Sequence, residues 1–106
     1  MILRSSQIEP VEMVPGVWRR TLAYGERVMI VQVTLEEGAV VPAHNHPHEQ
    51  VGYVVEGELE MTIAGETHRL QAGDSYLAPA NVEHSARAAR RTVVIDAFAP
   101  PREDYK

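Results

Sequence analysis

The sequence predicts an all-β protein, built as a sandwich or barrel of short antiparallel strands. Between residues 58 and 63, apolar and polar side chains alternate with a period of two, as in a strand with one solvated face. Turn-forming residues recur every few positions from Pro10 to Pro101, and no long segment between them has the 3.6-residue apolar period of a helix. Many short strands separated by such turns are typical of sandwiches and barrels.

The predicted strands are short and flanked by turn residues, and they lie at residues 28–35, 50–55, 58–63, 67–70, 75–78 and 92–99. The turn Ala64-Gly65-Glu66 joins the third and fourth of them as a hairpin. The first, second and last are largely apolar on both faces, which places them inside a sandwich or at a subunit interface. A turn of helix is expected only within residues 10–16 or 101–106.

The composition limits the class of protein. The 106 residues include 15 acidic and 10 basic side chains, a formal net charge of −5, and no cysteine. The lack of cysteine excludes disulfides, a thiolate nucleophile, a zinc finger and an iron–sulfur site, and the acidic balance disfavours nucleic acid as a partner. No apolar run approaches the ~18 residues of a membrane span, and the N-terminus lacks the apolar core of a signal peptide. We expect one cytoplasmic domain over residues 1–106.

Three of the five histidines lie within residues 44–48. Positions two apart on a strand face the same side, so His44 and His46 would aim two imidazoles at one point. His84, on a later strand, would supply a third. Neutral imidazole suits divalent zinc, nickel, manganese, iron, cobalt or copper, so the spacing indicates a site for one divalent transition metal ion. A histidine-rich surface loop would give the same pattern, and His48 lies either on such a loop or near the mouth of a cavity.

Two motifs around these histidines resemble those of the cupins. The first motif is matched by Gly38, His44, His46, Gln50 and Gly57. The second is matched by Gly73, Pro79, Asn81 and His84. The resemblance covers residues 38–84 and implies a jelly-roll fold, a double-stranded antiparallel β-barrel. It also implies that His44, His46, Gln50 and His84 hold the metal ion.

The fourth ligand position departs from the usual cupin pattern. Gln50 stands in place of the family's glutamate when Gly57 sets the register, while Glu49 would face the other side of the strand. Asn81 replaces a usual glycine, which is a mild change because asparagine tolerates positive φ. Three imidazoles and an amide are all neutral, so a divalent ion keeps its full charge and becomes a stronger Lewis acid and anion receptor. We therefore expect a small anionic substrate.

An acid interrupts the apolar strand at residues 92–99. Asp96 shares a face with Val94 and Phe98, and a buried carboxylate without a partner is costly and has a raised pKa. If this face lines the metal cavity, Asp96 can act as a general acid or base. The alternative is an aspartate that an arginine or backbone amides hold for structural reasons.

Two segments extend the resemblance to the KdgF-type cupins of pectin and alginate breakdown. Residues 96–105 are similar to the C-terminal signature of that group, and residues 46–58 are similar to its segment with glutamine as the fourth ligand. The resemblance implies an enzyme that converts cyclic 4,5-unsaturated monouronates to linear keto-deoxyuronates, with Asp96, Phe98 and Arg102 at active-site positions. Other three-histidine cupins are oxygenases of diketones or polyphenols, and some bind metal or ligand without catalysis, so both alternatives stay open.

One face of the strand at residues 50–55 requires a partner. The side chains of Val51, Tyr53 and Val55 point to the face of the strand opposite to that of Gln50. The other sheet or a second subunit would cover them. The resemblance to small cupins, which commonly dimerise through such a sheet, favours a homodimer with two independent sites.

Overall fold

Ten strands make up most of the chain in the computed structural model, which describes residues 1–106. The strands are β1 (Val11–Val14), β2 (Val17–Tyr24), β3 (Met29–Leu35), β4 (Val40–His44), β5 (Glu49–Glu56), β6 (Glu58–Ile63), β7 (Glu66–Gln71), β8 (Ser75–Ala78), β9 (His84–Ala88) and β10 (Thr92–Ala99). Two short 3-10 helices lie at Ser5–Gln7 and Glu103–Tyr105. Neither has the length or apolar character that a helix needs to cross a membrane.

The strands form two sheets in which every pairing is antiparallel. The larger sheet has the order β1-β2-β3-β10-β5-β8, and the smaller one has the order β4-β9-β6-β7. Strand β10, the last in the chain, therefore inserts between β3 and β5. This arrangement confirms the predicted jelly-roll, although the strands form two separate sheets rather than one sheet closed on itself.

The six strands predicted from the sequence are all present, with bounds that agree within one residue. A turn of helix could form within residues 10–16 or 101–106. Residues 10–16 instead form β1 and its tight turn to β2, where the chain pairs with Trp18 and Arg19. The second expected helical turn is confirmed by Glu103–Tyr105, and the one at Ser5–Gln7 was not predicted.

The core lies between the two sheets and is built from alternate residues of each strand. In β3, Met29 and Val31 are fully buried while Ile30 between them is exposed. Val54 of β5 and Val94 of β10 continue this buried row across the larger sheet, and they are paired in register. Each fully buried side chain of this size contributes about 1.5–3 kcal/mol through removal of apolar surface from water.

Near one end of the two sheets, the inward-facing positions of the strands are occupied by polar side chains. Gln50, Asp96 and Phe98 lie on the inward faces of β5 and β10 and are at most 7% exposed. Phe98 pairs in register with Gln50, and Asp96 pairs with Gly52. Facing them from the smaller sheet are the ends of β4 and β9, where His44 and His84 pair in register. The fold therefore collects the polar residues of both sheets at one place.

Gly57 lets the chain pass from β5 to β6 against the buried side of Thr92. Its φ is +99°, in the region that favours glycine. A Cβ built at this position would lie 2.4 Å from the Arg91 carbonyl oxygen and 2.5 Å from Thr92 Oγ1. Thr92 is fully buried, and its hydroxyl donates to the Arg90 carbonyl, so it cannot move away freely.

We expect Gly57→Ala to destabilise the protein much more than Gly65→Ala. Gly65 also has positive φ, +82°, but a Cβ there would meet no atom within 4 Å. The Gly65 substitution should cost about 1–2 kcal/mol of unfolding free energy through backbone strain alone. The Gly57 substitution should cost about 1–3 kcal/mol more through overlap with its neighbours. Urea denaturation of both variants measures the difference, and equal losses would contradict the assigned close approach.

Candidate metal centre

Three imidazoles meet between the two sheets. Ring centroids of His44 and His84 are 4.3 Å apart, those of His46 and His84 are 4.9 Å apart, and those of His44 and His46 are 5.6 Å apart. One ligand atom from each ring lies within 4.8 Å of the others. The expectation that His44 and His46 share a strand was wrong for His46, which lies beyond the end of β4 in the connection to β5. Its imidazole nevertheless reaches the same point.

A backbone carbonyl orients each of these three rings. Nδ1 of His44 lies 2.8 Å from the Pro42 oxygen, Nδ1 of His84 lies 2.9 Å from the Val82 oxygen, and Nδ1 of His46 lies 3.0 Å from the His48 oxygen. Because a carbonyl oxygen can only accept, each Nδ1 carries the hydrogen and donates it. Each Nε2 is thereby left with a lone pair, which is the arrangement that outer hydrogen bonds give to metal-bound histidine.

The side chain of Gln50 offers a fourth possible metal ligand beside the three imidazoles. Its side chain is 7% exposed and points inward, whereas Glu49 is exposed on the other side of the strand. Gln50 Oε1 lies 3.1 Å from His46 Nε2, so two lone-pair atoms face one another. Two ligands that are each about 2.1 Å from one ion, at a right angle, lie about 3.0 Å apart. A cation between them would satisfy both atoms.

His84 supplies a second sign that the residues fit a metal ion. Its Nε2 is buried and has no hydrogen-bond partner. Buried polar atoms are nearly always paired in native proteins, and a missing ion is one reason for an unpaired one. Burial lowers the pKa of His46 and of His84, and the nearby Arg102 guanidinium lowers both further. Both imidazoles are therefore held neutral, as metal binding requires.

The cavity beside the histidines contains the acid predicted from the sequence. Asp96 is 5% exposed, and burial raises its pKa to about 6, against the opposing effects of Tyr76, Gln50 and Arg102. The hydroxyl of Tyr76 donates a hydrogen bond to Asp96 Oδ1. The hydrogen bond to Asp96 thus comes from a tyrosine rather than from an arginine or backbone amides, while Arg102 acts on the carboxyl group only through its charge.

Arg102 lies at the mouth of this cavity, on the segment after β10. Its guanidinium is 4.0 Å from the centre of the Tyr105 ring and 5.3 Å from that of Phe98, and it pairs with Asp104 at 3.1 Å. The cavity beside the histidines has a volume of about 60 Å³, and a cleft of about 260 Å³ adjoins it. Arg102 and Tyr105 line both spaces, so a molecule that enters from the cleft passes them.

The predicted site residues are thus brought together around one cavity. His44, Gln50, His84, Asp96, Phe98 and Arg102 all line it. His46 is not part of the lining, but its ring lies 5.8 Å from that of Phe98 and its Nε2 lies 3.1 Å from Gln50 Oε1. His48 is half-buried with an unpartnered Nδ1, and its carbonyl oxygen orients His46. Tyr76 was missed, because only the register of β8 against β5 brings it near Asp96.

We expect purified protein, stripped by a chelator, to bind about one divalent ion per chain when Zn²⁺, Ni²⁺ or Co²⁺ is restored. His84→Ala should lower the measured affinity by at least tenfold, since it removes one of the ligand atoms. His68→Ala is the matched control, because His68 is an exposed histidine on β7 whose side chain is 68% accessible. Elemental analysis and titration calorimetry supply the measurements, and equal affinities of the two variants would contradict the assigned centre.

Comparison with known proteins agrees with this geometry. Residues 31–98 match the Cupin domain family. The chain is 34% identical over 96 residues to the pectin degradation protein KdgF of Dickeya dadantii (strain 3937). The aligned region covers 89% of this chain and 87% of that protein.

Two solved structures are similar over nearly the whole chain. The structure of KdgF from Halomonas sp. superposes with a TM-score of 0.95 at 35% identity, over 100% of this chain and 98% of that one. An RmlC-like cupin from Shewanella frigidimarina NCIMB 400 has the same TM-score and identity, over 99% of this chain and 95% of the other. With the paired sheets, the converging histidines and these relatives, the chain belongs to the cupin family.

Proposed function

We propose that the protein is a metal-dependent cupin that converts cyclic 4,5-unsaturated monouronates to linear keto-deoxyuronates. One observation carries the proposal: a single cavity is lined by the His44 and His84 imidazoles, the carboxyl group of Asp96 and the guanidinium of Arg102. These are the groups needed to bind an anionic sugar and to move a proton on it. The similarity to a protein named for pectin degradation supports the choice of a uronate.

The metal would be held by His44, His46, Gln50 and His84. When bound, a divalent ion with four neutral ligands supplies a Lewis acid that polarises a carboxylate or a hydroxyl group. Zinc, nickel, manganese, iron and cobalt all accept imidazole and amide ligands, so the donor set suits each of them.

Arg102 would bind the carboxylate of the substrate. A guanidinium presents a planar fork that matches a carboxylate through two hydrogen bonds. In the structure this fork is occupied by Asp104, whose side chain is 62% exposed. Arg102 is only 14% exposed, and Asp104 is the solvated partner of the pair, so a substrate carboxylate that replaces Asp104 keeps the shielded guanidinium paired. Arg102 itself stays in place through its contacts with the Tyr105 and Phe98 rings.

Asp96 would move the proton during ring opening. As the hemiacetal opens, the anomeric hydroxyl loses its proton to Asp96, a carbonyl forms at C1, and the bond between C1 and the ring oxygen breaks. The released electron pair forms an enolate, which takes a proton at C4 and becomes the C5 ketone. One proton is removed and one is returned, so the reaction consumes neither water nor an oxidant. Phe98 forms an apolar wall that limits access of water to the cavity.

We expect the metal-loaded protein to accelerate the loss of ultraviolet absorbance from the conjugated double bond of a 4,5-unsaturated monouronate. Asp96→Asn should lower kcat by about 10²–10⁴-fold, because the amide cannot accept the proton. Metal content should not change. Asp74→Asn is the control, since Asp74 is exposed in the connection between β7 and β8 and is absent from the cavity lining. Full activity of Asp96→Asn with metal retained would remove Asp96 from the mechanism.

Measurements of oxygen uptake and of ligand binding separate the alternative functions. Uptake of oxygen with diketones or polyphenols, dependent on a redox-active metal, would assign an oxygenase. Tight binding of a uronate without turnover, with every metal tested, would assign a non-catalytic binding protein. Either result would leave the fold and the metal centre as described and overturn the proposed reaction.

We propose that a second copy of the chain packs against the outer face of the larger sheet. Val51, Tyr53, Val55, Leu77 and Ile30 are between 37% and 50% exposed on this face. Apolar side chains grouped in this way are typical of an interface between protein chains. These side chains lie on β3, β5 and β8, with β10 between β3 and β5. They point away from the cavity, so two copies joined there would have two separate sites.

Sedimentation velocity is expected to show a dimer for the unmodified protein. Tyr53→Glu should shift it to a monomer, because a two-fold interface would bury two carboxylates without partners. Glu66→Gln, on the exposed hairpin of the smaller sheet, is the control and should remain dimeric. A stable monomer of the unmodified protein would refute the proposed interface.

A further inference from the structure

Three neighbouring strands place an acid, a glycine and a tyrosine side by side. Asp96 of β10 pairs in register with Gly52 of β5, and Gly52 pairs in register with Tyr76 of β8. All three residues belong to the inward face of the larger sheet. Adjacent strands are about 4.8 Å apart, so Asp96 and Tyr76 begin about 10 Å apart at their backbones.

Because Gly52 has no side chain, the side chains of Tyr76 and Asp96 meet above its Cα. A Cβ built on Gly52 would lie 2.2 Å from Tyr76 Cζ and 2.4 Å from Asp96 Oδ1. Gly52 is not among the residues with positive φ, so its backbone conformation does not require glycine. The requirement is for space. The tyrosine lies across β5 through this space, and its hydroxyl reaches the carboxylate two strands away.

The hydrogen bond from Tyr76 takes one of the two oxygens of Asp96. The acceptor is Oδ1, so the tyrosine hydroxyl fixes the position of one oxygen of the carboxylate. A carboxylate rotates about a broad, roughly two-fold torsion unless a partner holds it. A bond from a rigid phenol on a strand is a means of holding it, since the tyrosine itself has few rotatable bonds.

We propose that Tyr76 is a positioning residue, which reaches through the gap at Gly52 to hold the Asp96 carboxylate in the orientation needed for proton transfer. The inference rests on the proposed function for its kinetic consequence. It rests only on the described contacts for the orientation of Asp96. Tyr76 itself exchanges no proton with the substrate, because its hydroxyl is directed at Asp96.

Tyr76→Phe tests this role with the smallest change, the loss of one hydroxyl group. We expect kcat to fall by about 10–100-fold, because a misdirected proton acceptor reduces productive geometry. The KM should stay within about twofold, since Arg102 binds the substrate carboxylate independently. Tyr24→Phe is the matched control, because Tyr24 is 47% exposed on β2 and lies outside the cavity. Metal content is measured for every variant.

A double variant separates positioning from general stability. In the Asp96→Asn background, Tyr76→Phe should cause no further loss of kcat, since the carboxylate that it holds is already absent. Gly52→Ala supplies an independent perturbation, because its Cβ would push Tyr76 and Asp96 apart while both side chains remain. It should lower kcat as Tyr76→Phe does. Additive losses in the double variant would show that Tyr76 acts elsewhere and would overturn the proposal.

Carbon-13 NMR gives a readout that does not depend on turnover. The chain has three aspartates, Asp74, Asp96 and Asp104, so a protein labelled at the aspartate carboxyl carbon has three signals to assign. Asp96→Asn identifies the Asp96 signal by its disappearance. We expect Tyr76→Phe to move that signal and to leave the Asp74 signal unchanged.

The outcomes distinguish this proposal from the proposed function. An active unmodified protein whose Tyr76→Phe variant keeps its kcat would overturn the positioning role, even if the variant were less stable. An unmodified protein without turnover would overturn the proposed reaction and the kinetic consequence. In that case a shifted Asp96 signal would still support the holding contact, and an unchanged signal would refute it.

Discussion

The insertion of β10 between β3 and β5 is the constraint on which the site depends. Seven residue pairs join β10 to each neighbour. This register places Asp96 opposite Gly52 and Phe98 opposite Gln50, and it directs the chain onward to Arg102. A slip of one residue would turn every inward side chain of β10 to the outer face, since side chains alternate along a strand. The packing of the core and the contents of the cavity are therefore set by the same pairing.

The cavity favours uncharged side chains in its interior and keeps one permanent charge at its mouth. Burial lowers the pKa of His46 and His84 and raises that of Asp96, so each shift acts against a charged group inside. Arg102 at the entrance stays positive and is largely shielded by aromatic rings. Strong charge in the interior would then come from the metal ion and the anionic substrate of the proposed function.

Features that depend on local spacing could be predicted from the sequence, and features that depend on distant register could not. The inward direction of Gln50 and the buried position of Asp96 follow from alternation along single strands. The set of three histidines follows from motif spacing, whereas the position of His46 beyond the end of β4 does not. Tyr76 lies 20 residues from Asp96 in the sequence. Its contact with Asp96 can be predicted only when the strands on either side of β5 are known. The pairing of Arg102 with Asp104 forms in a turn after the last strand, where alternation predicts nothing.

The three histidines are oriented by main-chain oxygens, those of Pro42, Val82 and His48, each two positions away along the chain. Main-chain groups survive most point mutations, because a substitution replaces the side chain and keeps the carbonyl. Residues of the cavity wall can therefore be substituted during evolution while the imidazole rings keep their orientation. A scaffold of this kind can acquire new substrate preferences through substitutions in the wall, without rebuilding the centre that the wall surrounds.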